Sequence, residues 1–112
     1  MYNYSAVIER VVDGDTVDVV LDLGFFIYTK QRVRMAHINA PEKNQTGGKE
    51  ATDWLTDKLK PNTKVMVSSL KPHAGDKYGR FLADIYLLGE TVSVNQEMLN
   101  LGLATAYEGG AR

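Results

Sequence analysis

The chain has 112 residues, 44% of them hydrophobic, enough for one compact core and too few for two, so a single domain over 1–112 must carry every functional group. It has no cysteine, which excludes disulfides, thiolate zinc sites and thiol nucleophiles and leaves oxygen or histidine to hold any metal. A formal net charge of −1 excludes general attraction to a polyanion, so a nucleic-acid role must rest on local clusters of Lys and Arg.

Residues 5 to 12 read as a first strand. Glu9 and Arg10 break the start where a secretory leader needs an apolar stretch, and no run approaches the ~20 apolar residues of a membrane span. A monomer with no membrane partner is expected, in the cytoplasm rather than exported. Val17, Val19, Leu21 and Leu23 then alternate with Thr16, Asp18, Val20 and Asp22 at the period of a half-buried strand, and Gly24 marks a turn. Beyond it Phe26, Tyr28, Lys30, Arg32 and Arg34 fall on one face and Ile27, Val33 and Met35 on the other, a long antiparallel partner.

From Asn39 to Gly48 the pattern breaks into a surface loop rich in Asn, Thr and Gly. Ala51, Trp54, Leu55 and Leu59 recur at helical spacing, so 49 to 60 is an amphipathic helix closed by Pro61, with Trp54 mostly in the core. A strand over 64 to 70, a polar loop over 71 to 79 and an apolar strand over 80 to 88 follow. Val94, Met98 and Leu101 mark a second short helix, with Gly102 suited to its C′ position. Three strands, helix, two strands, helix is the layout of an α+β fold dominated by β: a five-stranded OB-type Greek-key barrel with two short helices.

Three polar clusters interrupt this framework. Asp13-Gly14-Asp15-Thr16 places two carboxylates around a glycine before a strand, though an Asx-type turn accounts for it equally well. Arg34 with Asn39-Ala40-Pro41-Glu42 combines a fixed cation, an amide oxygen and a carboxylate, the mixture that phosphodiester hydrolysis needs; a solvated strand end is the alternative. Asp76-Lys77-Tyr78-Gly79-Arg80 sets two cations and an aromatic ring at the mouth of a strand, suited to phosphate and base, or forms a polar hairpin.

In order and approximate spacing these three motifs, followed by Val94-Asn95 and Gly102-Leu103-Ala104, resemble the staphylococcal nuclease family over about Val7 to Tyr107. The resemblance implies that Asp15, Asn39 and the Ala40 carbonyl hold a calcium ion and that Glu42 positions the attacking water. It implies that Arg34 and Arg80 clamp the scissile phosphate, that Lys77 and Tyr78 contact a neighbouring nucleotide, that Tyr107 stacks on a base, and that Asp13 supports the metal loop from behind. The expected activity is metal-dependent hydrolysis of DNA or RNA, single strands preferred, with little sequence specificity.

The chain departs from the family in carrying Asn39 where the best-known member has an aspartate ligand, so looser calcium binding or another divalent ion is expected. Its strand pair around Gly24 is longer, its loop after Glu42 shorter, and it stops soon after Tyr107. Asn39 favours the rival reading, an OB-type nucleic-acid-binding module that is catalytically weak or inactive; Glu42 and both arginines argue against it. His37, read in the third strand on the Met35 side and placed by the resemblance at an apolar barrel position, is expected to be a packed or partly buried structural histidine, and His73 a surface one.

Overall fold

Three antiparallel strands open the fold: β1 (Tyr2–Asp13), β2 (Thr16–Asp22) and β3 (Tyr28–Met35). The structure is a computed structural model that describes residues 2–69 and 81–107. Alternation sets the pairing. Thr16 stands opposite Arg34 and Asp22 opposite Tyr28 without slippage, which turns Val17, Val19, Val33 and Met35 inward, each no more than 1% exposed. Register shifts between Ile8 and Arg10 and between Val11 and Asp13 bend β1, whose first half pairs with β5 (Lys64–Ser69) as well as with β2. β6 (Phe81–Leu87) lies antiparallel to β5 and parallel to β3, closing a five-stranded barrel in the order β1-β2-β3-β6-β5.

The inward residues form one core with the apolar faces of two helices, α1 (Gly48–Lys58) and α2 (Val94–Asn100). Leu55, Leu59, Val94 and Met98 are fully buried there, each such side chain contributing roughly 1.5–3 kcal/mol of transfer free energy. Trp54 packs against this core only partly buried, with Lys58 Nζ 5.8 Å from its ring centre. Ser93 caps α2 by accepting the Gln96 N–H (3.0 Å). Gly102, with φ 74°, stands at C′, and the bonds Gly102 N–H to Leu99 O (3.1 Å) and Leu103 N–H to Met98 O (2.9 Å) complete a Schellman motif.

On the outer face of the meander Asp18 accepts hydrogen bonds from Arg32 (2.8 and 3.1 Å) and Arg10 (3.1 Å), and the Arg32 bond holds its carboxyl below the ordinary range.

The sequence reading is corrected in three places. β3 begins at Tyr28, because Phe25 and Phe26 belong to the turn after Gly24. His37 lies in a turn after β3 at φ 68° rather than at an apolar barrel position, its side chain 45% exposed and 3.7 Å from Asp84. The segment expected to be loop from Asn39 starts inside a two-residue strand, β4 (Ile38–Asn39), which pairs with β7 (Thr105–Ala106). The expected 71–79 loop, with His73, lies outside the described residues.

Candidate active site

The β1–β2 connection is a short turn whose two aspartates have different partners. Asp13, paired in register with Thr16, accepts the N–H of its neighbour Gly14 at 2.9 Å, and its Oδ1 lies 3.5 Å from Thr52 Oγ1 on α1. A Cβ on Gly14 would come within 3.0 Å of the Ala40 Cβ and 3.1 Å of the Ala51 Cβ, so the missing side chain lets turn, helix and Ala40 meet. Asp15 points the other way. It is 6% exposed; Oδ1 accepts from Thr16 Oγ1 (3.1 Å), Oδ2 accepts the Ala40 N–H (3.0 Å), and Asp15 O accepts the Met35 N–H (2.8 Å).

Arg34 leaves the outer face of β3 directly opposite Thr16, yet is only 2% exposed because the chain folds back over it through β4. Its Nη1 donates to Met35 O (2.8 Å) and Ile38 O (2.9 Å); its Nη2 lies 3.4 Å from Asn39 Oδ1 and 3.4 Å from Asp15 Oδ2. A guanidinium so deeply buried is tolerable only when its donors are matched, and this set fixes its orientation. The Tyr107 ring sits 6.0 Å from Arg34 Cζ, delivered there by β7 and by the Tyr107 N–H bond to His37 O (2.8 Å).

Asp15, Arg34, Asn39, Ala40 and Tyr107 therefore converge from four segments. Glu42 does not join their hydrogen-bonded cluster: it stands exposed on a turn just beyond, where its N–H is accepted by Gln45 Oε1 (3.0 Å) and its carbonyl accepts the Gln45 N–H (2.9 Å). That turn rests on the first residue of α1, since a Cβ on Gly48 would fall 1.6 Å from Glu42 O. Lys77, Tyr78 and Arg80 lie outside the described residues.

Asn95 is a supporting residue to which sequence reasoning gave no role. Only 2% exposed, its amide donates to Ala36 O (2.8 Å) and Ala83 O (3.2 Å) and accepts the Ile85 N–H (3.0 Å), tying α2 to the turn that leads into Ile38 and Asn39. The available signal was an amide on the core-facing side of α2, beside Val94 and Met98.

Asp15 and Asn39 bring a carboxylate and an amide oxygen to the same guanidinium nitrogen, oxygen groups of the kind that suit a hard divalent cation. Among the described residues no cluster of three or more His, Asp or Glu forms.

A closed five-stranded barrel with two helices, carrying a buried guanidinium and carboxylate pair, defines an OB-type fold. Residues 32–111 match the family model described as staphylococcal nuclease homologue, and the chain belongs to that family. It is 35% identical over 99 residues to an uncharacterized endonuclease of Escherichia coli O157:H7, covering 88% of this chain and 58% of that protein. It is 33% identical over 112 residues to a micrococcal nuclease of Shigella flexneri, covering 94% and 59%, and 30% identical to an endonuclease of Bacillus subtilis of which it spans 9%. The chain thus spans less than two thirds of the length of these relatives. Among the described residues no helix is long and apolar enough to cross a membrane.

Proposed function

We propose that this chain is a divalent-metal-dependent nuclease that hydrolyses phosphodiester bonds of single-stranded DNA or RNA with little sequence preference. The observation that carries the reading is the Asp15–Arg34–Asn39 cluster, a carboxylate and an amide oxygen gathered at one nitrogen of an immobilised guanidinium, in a chain of a nuclease family.

Asp15, Asn39 and the Ala40 carbonyl would hold calcium, or another divalent ion, which when bound supplies positive charge to a phosphoryl oxygen. Arg34 receives the phosphate. Two carbonyls hold Nη1 and so set the orientation of the guanidinium, whose N–H groups can bond phosphate oxygens as charge builds there. Arg80 would act with it, as the family resemblance implies. Glu42, exposed and reached by solvent, orients the attacking water, and the backbone lock at Gly48 sets its position. Tyr107 stacks on a base beside the clamped phosphate, and Lys77 and Tyr78 contact the next nucleotide. Contacts to phosphates and base faces carry no base-edge information, hence the low sequence preference.

The test is cleavage of a fluorescent single-stranded DNA with calcium, with magnesium or manganese, and with chelator, beside Glu42→Gln. Metal-stimulated cleavage lost with chelator and with the variant is expected. Substrate binding without cleavage under every metal would instead make the chain a binding module, the reading that Asn39 favours.

A further inference from the structure

The β2–β3 turn carries a feature for which the candidate site has no use. Phe25 and Phe26 are 96% and 94% exposed, flanked by Leu23, Ile27 and Tyr28 at 45%, 55% and 60%. The turn is fixed by Ile27 N–H to Gly24 O (3.0 Å), Leu23 N–H to Ile27 O (2.9 Å) and Gly24 N–H to Asp22 Oδ1 (2.8 Å). Both phenylalanines sit in left-handed backbone, φ 55° and 63°, which bulky side chains disfavour. Two rings held out in water on unfavourable backbone mark a contact surface. At roughly 200 Å² per aromatic side chain, the three exposed rings offer about 500 Å², short of the ~800 Å² each partner contributes to a standard protein interface. A second copy is therefore a poor fit.

The turn is continuous with the candidate site. Tyr28, Lys30, Arg32 and Arg34 occupy successive outward positions of β3, as the unbroken register with β2 requires, and the row ends at the guanidinium beside Asp15. A row that passes from exposed rings at the turn to cations along one strand matches the combination that single-strand binding surfaces use. Glu9 lies 3.1 Å from Lys30 and Asp18 bonds Arg32 and Arg10, so the row has little net field to attract an anionic lipid surface. Ring stacking, rather than charge neutralisation, is what it offers.

We propose that Phe25 and Phe26 form a remote stacking platform for unpaired bases of the same strand whose phosphate is held at Arg34, an inference that rests on the nuclease reading for its choice of strand. Phe26 and Arg34 are eight residue steps apart along the turn and β3, at most ~26 Å at the strand rise. That distance corresponds to about eight nucleotides at the ~3.4 Å spacing of a duplex strand, fewer when the strand is extended. Short oligonucleotides fill the site without reaching the platform; longer ones engage both.

The experiment is fluorescence anisotropy with labelled oligothymidylates of about 4 and about 16 nucleotides, the span of single OB-fold sites, with calcium in a Glu42→Gln background. The longer strand is expected to bind at least about tenfold tighter, as loss of one or two stacks implies. Phe25→Ser with Phe26→Ser should remove that advantage without changing affinity for the short strand, and Phe25→Trp with Phe26→Trp should retain it. Raising salt from about 50 to about 200 mM should leave the platform's share largely intact, unlike a phosphate contact. An unchanged length advantage in the Ser variant overturns the proposal. So does a Ser variant that loses only retention on phosphatidylcholine vesicles or only self-association in sedimentation. Cleavage of both strands by the wild type, measured alongside, separates the two readings: cleavage with no platform-dependent length advantage sinks the platform alone, and a platform-dependent advantage with no cleavage sinks the nuclease reading alone.

Discussion

Arg34 is the residue on which charge, burial and register meet. Arg34→Ala removes the partner of a buried carboxylate and leaves Met35 O and Ile38 O without their donor, so stability should fall by about 3–5 kcal/mol, read as a lower urea midpoint. Activity must then be compared under conditions where the variant is folded. Asn39→Asp is the complementary change: a second carboxylate beside Asp15 should tighten calcium binding, each tenfold gain adding about 1.4 kcal/mol of stability at saturating calcium. A larger calcium-induced rise in melting temperature than in the wild type checks it; an equal rise would remove Asn39 from the ligand set. At this scale residue chemistry singled out the Asp13–Thr16 and Arg34–Glu42 clusters, while Tyr107 and the separate roles of Asp13 and Asp15 came from the family resemblance. Chemistry alone does not distinguish the two aspartates, because both satisfy the same local pattern; in the fold Asp13 accepts the Gly14 N–H and Asp15 the Ala40 N–H. His37 was misplaced for a related reason: alternation was extended one turn too far, past the end of β3 at Met35.

Among the elements, those with a long apolar period were legible and those defined by distant pairing were not. The two central strands and both helices followed from the spacing of Val, Leu and Met. β4 and β7 have two residues each and exist because Ile38 meets Ala106 and Asn39 meets Thr105, a pairing that no local window contains. Yet that small ladder brings Tyr107 to Arg34. The bond network of Asn95 fastens α2 to the same region. Asn95→Ala should leave the Ile85 N–H and two carbonyls unmatched in the interior, costing about 2–3 kcal/mol. If the turn before β4 depends on that anchor, kcat should fall beyond what the loss of folded protein explains; a drop in melting temperature with unchanged kcat would confine Asn95 to stability.

At the scale of the whole molecule, the barrel is sewn shut by its shortest ladder. Four of its five junctions are antiparallel, whereas β3 and β6 join in parallel through Val33 with Phe81, Arg34 with Leu82 and Met35 with Ala83, extended by the Ala36 N–H bond to Ala83 O (2.8 Å). The seam also joins strands almost fifty residues apart, a loop-closure cost exceeded only at the far longer β1–β5 ladder. Local opening of the wall should begin there, with amides of residues 33–36 and 81–83 exchanging with deuterium sooner than those at the β1–β2 junction. The backbone of Arg34 is itself a stitch in this seam, so the residue proposed to receive phosphate is also one that holds the wall closed. On that proposal, a nucleotide bound at Arg34 should slow exchange along both strands of the seam, acting as a clasp on the barrel wall.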